Sequence, residues 1–380
     1  MDPRTGLPVV GMVGAGQLAR MTHQAGLALG LSLRVLADSP DDGAALVAAD
    51  VTVGDYHDYD TLLRFAEGCD VLTFDHEHVP GELLHKLGTA GVTVLPGPEA
   101  LLHAQDKRVM RERLSALGVA VPRWALVRTA QDIITFADGR WPVVAKAVRG
   151  GYDGRGVWFV AGADEARSLV SLVAKGAELL VEEQVPLAGE LSALVARSPY
   201  GQVAAWPVVE TVQREGICVE VLAPAPTIDG DRAVAAQRLA ISLAAELGVV
   251  GVLAVELFDT GSELLVNELA MRPHNSGHWT IEGSLTSQFE QHLRAVLDYP
   301  LGLTRPLAQA VAMANVLGGG PGIDERLHHL FAADPGVKVH LYGKQSRPGR
   351  KMGHVTVLDE EMGRARQRAR RAASALGEAV

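Results

Sequence analysis

The sequence predicts an α/β chain with a mixed α+β middle, and three stretches make the case. The first hundred residues alternate short apolar runs with helical ones, the rhythm of a parallel sheet covered by helices. A loop with four glycines, Gly150-Gly-Tyr-Asp-Gly-Arg-Gly156, sits between the β-rich runs Val143-Val-Ala-Lys146 and Val157-Trp-Phe-Val160. Further on, Gly251 to Asp259 and Glu263 to Leu269 read as apolar strands that each contain a carboxylate, Glu256 and Glu268.

In chain order, Val9-Val-Gly-Met-Val13 is a buried strand, Gly14-Ala-Gly16 a tight turn and Gln17 to Leu29 a helix. Leu33 to Ala37 is the next strand, ending at Asp38. Val71 to Phe74 and Val92 to Leu95 continue the alternation, with a helix around Gly81 to Leu87. Ligands of such a sheet lie at the strand C-termini. Gly14-x-Gly16-x-x-Ala19 with Asp38 beyond it fits a dinucleotide fingerprint. The same glycines equally suit a helix N-terminus facing any phosphate, or a turn that binds nothing. Asp75-His-Glu-His78 has metal-ligand residue types, but strand alternation would split them between two faces. A polar strand end reaching into a cleft is the better reading, with Glu77 its most useful member.

Pro96-Gly-Pro98 marks a boundary, and Glu99 to Leu117 is expected as one amphipathic helix containing Lys107. A compact segment follows: the glycine-loop hairpin, a helix from Ala163 to Lys175, and a strand from Glu178 to Val185. Glycines let backbone N–H groups close over phosphate oxygens, and Lys146 adds a point charge. In a P-loop the lysine follows the glycines and opens a helix. Here it precedes them and a strand comes next, which suits a hairpin folding over a nucleotide. Glu182 and Glu183 beside Gln184 and Val185 suit an adenine edge and a ribose hydroxyl.

Glu190 to Ser198 and Gln202 to Val212 read as antiparallel strands, and Asp231 to Leu247 as a helix ended by Gly248. Glu256 and Glu268, with Asn267, are hard oxygen ligands of the kind and number that Mg2+ on nucleotide phosphates needs. Arg272-Pro-His-Asn-Ser-Gly-His-Trp-Thr280 is dense in polar groups, and Lys344-Gln-Ser-Arg-Pro-Gly-Arg-Lys351 is a basic turn suited to a substrate phosphate.

Composition narrows the classes. With 380 residues, 48% of them hydrophobic, the chain has core enough for two or three domains. Its 35 basic against 45 acidic residues give a charge of −10, which argues against a nucleic-acid or anionic-membrane surface. Cys69 and Cys218 are too few for a disulfide framework. No secretory h-region or membrane-length apolar run is evident, so a cytoplasmic protein is expected.

With these residues assembled, the chain resembles the ATP-grasp enzymes, and among them the 5-(carboxyamino)imidazole ribonucleotide synthases of purine biosynthesis. The match runs from Gly14-x-Gly-Gln-Leu-x-Arg-Met21 to Arg347-Pro-Gly-Arg-Lys-x-Gly-His354. Gly150 to Gly156, Asn267-Glu268 and His274-Asn-Ser-Gly-His-Trp-Thr280 are its discriminating pieces.

The resemblance implies an ATP-grasp fold with an N-terminal Rossmann-like domain (1–98), an ATP-grasp domain (99–305, lid about 122–185) and a small C-terminal β-rich domain (306–380). It assigns Lys107, Lys146, Gly150, Gly151, Tyr152, Asp153, Gly154, Arg155, Gly156, Glu182, Glu183, Gln184, Val185, Glu190, Asn267 and Glu268 to ATP. Glu256 and Glu268 would hold Mg2+. For aminoimidazole ribonucleotide it implies Glu77, His274, Asn275, Lys344, Arg350 and Lys351, with Gln17 and Leu18 from the first helix and Tyr152, Asp153 and Arg155 from the lid.

Bicarbonate would attack the γ-phosphate of ATP to give carboxyphosphate, and the ribonucleotide's exocyclic amine would take up the carboxyl group. Asp153 is the expected general base, with Tyr152 and Arg155 beside it. A homodimer, and a downstream mutase that consumes the product, are implied by the family. The chain departs from the pattern where His103 replaces a usual arginine, where Asp75-His-Glu-His replaces Glu-aromatic-Glu-Asn, and at Met271. The rival readings are another ATP-grasp ligase on a phosphoribosyl amine, an NAD-dependent oxidoreductase using Gly14-x-Gly16, and a non-catalytic nucleotide sensor.

Overall fold

The computed structural model describes residues 1–151, 154–172 and 178–378; the side chains of 171 and 172 are left undescribed. Tyr152 and Asp153 lie outside the described residues, as does the end of the helix expected to reach Lys175.

Among the described residues three sheets form. The first strings together β1 (Val9–Val13), α1 (Gln17–Ala28), β2 (Ser32–Ala37), β3 (Asp50–Val53), α2 (Tyr59–Ala66), β4 (Val71–Phe74) and α3 (Gly81–Thr89). Its strands are parallel in the order β3-β2-β1-β4. β1 and β4 are buried along their whole length, as parallel strands covered on both faces must be. Gly11 is required there: a Cβ would come within 2.4 Å of Leu72 Cδ2. Val92 to Leu95, expected as a fourth strand, makes a single parallel bridge, Leu72 with Val94, among the described residues. Pro96 follows at once and has no N–H with which to extend the pairing.

The helix expected from Glu99 to Leu117 is two helices, α4 (Pro98–Gln105) and α5 (Lys107–Ala116). Asp106 breaks it. Its backbone is extended, and its carboxylate accepts from the N–H groups of Arg108 and Val109, capping α5.

The second sheet contains β5 (Trp124–Val127), β6 (Val143–Ala147), β7 (Val157–Val160) and β8 (Leu179–Glu183), antiparallel in the order β5-β8-β6-β7. α6 (Ala130–Ala137) and α7 (described over Ala163–Leu172) pack on it.

The third sheet is central. It runs β14 (Leu264–Ala270), β13 (Gly251–Asp259), β9 (Gly189–Arg197), β11 (Val209–Arg214), β12 (Ile217–Ala223), β15 (Ala310–Leu317), β17 (Lys351–Asp359) and β16 (Lys338–Leu341), with β10 (Val203–Ala205) beside β9. The strand expected over Gln202 to Val212 is thus two, β10 and β11, parted where Trp206 and Pro207 leave the ladder. α8 (Gly230–Glu246), α9 (Thr280–Gly283) and α10 (Gln288–Val296) follow the middle strands. α11 (Ile323–Ala333) and α12 (Met362–Leu376) belong to the C-terminal part.

That C-terminal β-rich part closes no sheet of its own. β15 pairs with β12 in the register Glu220 with Ala314 to Ala223 with Val311, continuing the central sheet. The basic run of α12 serves this seam. Arg366 and Arg370 both bond the buried Glu220 of β12, and Arg368 bridges Asp334 and Asp359.

Candidate active site

The site is assembled where the central sheet, the lid sheet, α5 and two loops meet. β13 and β14 place Glu256 directly opposite Glu268. Each carboxylate has a cation or donor at hand: His274 Nε2 is 3.1 Å from Glu256, and Lys107 Nζ donates to Glu268 at 2.8 Å. Burial works against ionising Glu256, but the bond and charge of His274, then Lys351 and Lys146, outweigh it and hold its carboxyl low. Glu190, on β9, goes the other way: burial and then the charge of Glu256 push it up to about 7. Facing carboxylates in a partly dry cleft could hold a cation.

The lysines are held by a buried network. Lys146 Nζ lies 2.6 Å from Glu182 and donates to Asn267 Oδ1 at 3.0 Å. Glu182, only 2% exposed, also receives Arg111, itself 1% exposed. Arg111 donates as well to the carbonyls of Val266 and Asn267, at 3.2 and 2.8 Å. Burial opposes the charge on Glu182, yet Lys146 and Arg111 keep it below the usual carboxylate range. Glu182 therefore points into the core, away from an adenine edge, and what it does is fix Lys146. Glu183 turns outward to Arg123, whose backbone N–H it accepts at 2.9 Å. Gln184 is exposed and Val185 half-buried at the mouth of the cleft.

Asp106 links lysine and lid. Its second carboxylate oxygen accepts from Arg149 Nε at 2.9 Å, and Lys107 N–H donates to Val148 O at 2.8 Å. Arg149 is the residue before the glycine loop, where Gly150, Gly151, Gly154 and Gly156 all have positive φ. Gly151 is obligatory, since a Cβ would meet Arg155 O at 2.5 Å. Gly154 rests on the turn of the β11–β12 hairpin at Glu215 and Gly216. The exposed side of this loop includes Arg155.

On the other side of the cleft, Glu77 is tied to Arg272 Nε at 2.8 Å and to the N–H of Met271. Gln17 accepts from Lys344 Nζ. Leu18 buries its side chain with Phe289 and Tyr342, so only its N–H, in the first turn of α1, is left to meet a ligand. His274 sets its Nδ1 2.8 Å from Ser276 Oγ and its Nε2 3.1 Å from Glu256. Asn275 Nδ2 is buried with no partner in the described protein, a donor waiting for an acceptor. Arg350 bends back onto the carbonyl of Gln345, and Lys351 opens β17 with its charge bearing on Glu256. His103 lies in the last turn of α4, its ring against the carbonyl of Ala100.

Asp75 is no part of a metal cluster. β4 stops at Phe74, and the Asp75 carboxylate accepts from Gly16 N–H at 2.5 Å and Ala19 N–H at 3.3 Å. A carboxylate thus occupies the helix N-terminus where a dinucleotide's pyrophosphate would sit. Asp106, Arg111 and Arg149 are absent from the sequence-based expectations. Two signals could have found the first pair. Asp106 is a capping residue type in mid-pattern, and Arg111 is one helical turn from Lys107, on the same face.

Paired carboxylates, two lysines and a glycine-rich lid on an antiparallel sheet, behind a parallel-sheet domain, define an ATP-grasp enzyme. Residues 112–289 match the ATP-grasp domain, 7–105 the ribonucleotide synthetase preATP-grasp domain and 311–368 the phosphoribosylaminoimidazole carboxylase C-terminal domain. The N5-carboxyaminoimidazole ribonucleotide synthase of Mycobacterium tuberculosis is 61% identical over 96% of this chain and 87% of its own. The Thermus thermophilus synthetase structure aligns with a TM-score of 0.87 at 39% identity, covering 98% of this chain and 99% of that one. An Aspergillus clavatus synthase, in complex with ADP and 5-aminoimidazole ribonucleotide, aligns at 0.87 with 29% identity over 97% and 98%. The chain belongs to the N5-carboxyaminoimidazole ribonucleotide synthase family of ATP-grasp ligases.

Proposed function

We propose that this chain uses ATP and bicarbonate to carboxylate the exocyclic amine of 5-aminoimidazole ribonucleotide in purine biosynthesis. The observation that carries the residue-level reading is the facing Glu256–Glu268 pair between Lys107 and Lys146, with the unpartnered Asn275 amide across the cleft.

ATP lies with its phosphates against Lys107, Lys146 and the lid N–H groups of Gly150 to Gly156, and its adenine by the backbone of Glu183 to Val185. Glu190, half-buried on β9, reaches the ribose hydroxyl in this reading. Glu256 and Glu268 fit Mg2+: they are two hard carboxylates facing each other, and they would hold the ion with positions left for phosphates and water. When bound, Mg2+ supplies neutralisation of charge on the transferring phosphoryl group. The lysines, fixed by Glu182 and Asn267, present positive charge where that group passes, with no reorganisation needed at the moment of reaction. Bicarbonate attacks the γ-phosphate, and the carboxyphosphate formed is shielded from water by the lid.

The ribonucleotide lies between Gln17, the Leu18 N–H, Glu77, His274 and Asn275, with its phosphate at Lys344, Arg350 and Lys351. The amine attacks the carboxyl carbon of carboxyphosphate, the C–O bond to inorganic phosphate breaks, and Asp153 takes the amine proton while Tyr152 and Arg155 align the ring. The product is a carbamate, a labile group that suits immediate use by a mutase moving the carboxyl from nitrogen to carbon. We also read the protein as cytoplasmic and as a homodimer. Exposed Leu285, Leu303 and Leu307, on two segments hydrogen-bonded to each other, offer an apolar surface for a second copy. Domain limits at 98 and 305 complete the reading.

The test is ADP release with ATP, Mg2+ and bicarbonate, with and without aminoimidazole ribonucleotide. The ribonucleotide is expected to stimulate turnover strongly, and Asp153→Ala to lower product formation by about 10²-fold or more. An unstimulated wild type sinks the substrate assignment, whereas an active variant demotes only Asp153.

A further inference from the structure

Two segments assigned above to the ribonucleotide, His274 to Thr280 and Lys344 to Lys351, are far apart in sequence yet meet behind the cleft in one buried polar cluster. Gln288, fully buried at the start of α10, donates to the carbonyl of His274 at 2.7 Å and accepts from its N–H at 2.8 Å. The same amide lies 3.1 Å from His278 Nδ1. The His278 ring packs at 4.9 Å on His354, three residues beyond Lys351 on β17. His354 Nδ1 is 2.7 Å from the hydroxyl of Tyr342, two residues before Lys344. Tyr342 N–H in turn donates to the Met352 carbonyl at 2.9 Å. His340 stacks on His354 at 4.7 Å and is anchored to Glu282 of α9 at 2.6 Å. His278, Tyr342 and His354 are each no more than 1% exposed.

None of these groups is itself assigned to the ribonucleotide, yet His278, Tyr342 and His354 each lie within three residues of one that is, and Gln288 bonds the His274 backbone directly. We propose that Tyr342, His354, His278 and Gln288 are positioning residues for the ribonucleotide, fixing the basic turn at Lys344 and Lys351 against the His274–Asn275 turn. This rests on the substrate reading above. The ATP side has its own brace in Arg111 and Glu182, with no atom shared between the two. Loosening the cluster therefore separates the two substrates kinetically: a rotamer-scale shift of Lys344 weakens the ribonucleotide phosphate contact without moving Lys107 or Lys146. Leu18, which buries beside Tyr342 and Phe289, conveys the same constraint to the first turn of α1.

The experiment compares Tyr342→Phe, His354→Phe and His354→Asn with the wild type, measuring KM for each substrate, kcat and melting temperature. Tyr342→Phe deletes one hydroxyl and keeps the ring, and is expected to raise KM for aminoimidazole ribonucleotide about 10-fold with KM for ATP within about twofold. His354→Phe should do the same, and His354→Asn, which retains an acceptor near the Nδ1 position, should recover most of the loss. The proposal is overturned if Tyr342→Phe leaves the ribonucleotide KM at the wild-type value. It is equally overturned if both KM values rise together with a fall in melting temperature, the mark of a general packing role. A wild type that the ribonucleotide does not stimulate would instead remove the substrate reading on which the proposal rests.

Discussion

The two sides of the cleft are built by opposite means. On the ATP side, charge is fixed by charge: Arg111, Glu182 and Lys146 alternate in sign inside the protein, and Asn267 Oδ1 accepts a further hydrogen bond from the ammonium. On the ribonucleotide side, the contact is carried by three rings and an amide, His278, His354, Tyr342 and Gln288, with the His340–Glu282 pair stacked on His354. Burial lowers His278 and His354 well below the usual imidazole range and pushes the Tyr342 phenol well up. The difference follows from where each side sits. Lys146 projects from one sheet toward another, so a fixed ion network must span the gap between lid and body. The ribonucleotide loops rest on one continuous sheet, where rings and an amide can pack without net charge and without the desolvation that buried ions suffer.

Removing the hub of the charged side should have the largest effect. Arg111→Ala leaves Glu182 with one cation fewer and two carbonyls unpaired, and is expected to lose about 3–5 kcal/mol of stability in urea unfolding. A loss below about 1 kcal/mol would mean that the network is not what braces that side. Glu268→Gln keeps the shape and deletes the charge shared by Lys107 and the proposed cation. Turnover should fall about 10²-fold with the fold intact by circular dichroism, and excess Mg2+ should restore part of it.

A third test reaches the contact between the parallel sheet and the central one. His292 of α10 is fully buried, accepts from Val252 N–H at Nδ1 (3.1 Å) and lies 2.7 Å from Thr73 Oγ1 at Nε2. Burial lowers it to about 4, so the folded state prefers the neutral ring. Its contribution is complete above the unfolded value of about 6.5 and is lost as pH falls toward 4. Between pH 7 and pH 5 the wild type should lose about 2 kcal/mol more than His292→Gln in urea unfolding. An equal loss in both would remove His292 as the cause. The smallest effect belongs to Gln17→Ala, which frees Lys344 from one neutral partner. It should raise the ribonucleotide KM by about fivefold and leave ATP alone, sharpening the division between the two sides.

What the sequence made legible follows the same division. β1, β2 and β4 announce themselves as mostly apolar runs, because a covered parallel sheet leaves few polar positions. β3 has no buried residue along its four positions, so nothing in its pattern marks it. The glycines of the lid are readable since only glycine accepts their backbone angles, and the glutamates of β13 and β14 since a carboxylate in an apolar strand needs a reason. Asp106 is unreadable from periodicity, as its partner Arg149 arrives from the lid forty-three residues later. Glu182 shows the same limit. Two adjacent glutamates on a strand must point opposite ways, but which one meets the core depends on Arg111. Histidines are hardest of all, because the residue types that bind phosphate in a loop also pack neutral in a core.

The seam between β12 and β15 bears on how the chain is made. β12 leaves the ribosome long before β15, with Val221, Leu222 and Ala223 ready to pair and no neighbour on that side until Val311 to Ala314 arrive. Through that interval the nascent protein presents an open apolar edge, the kind that templates association with other chains. Synthesis rate between the two strands, and chaperone occupancy during it, should therefore govern soluble yield more than any property of the finished fold.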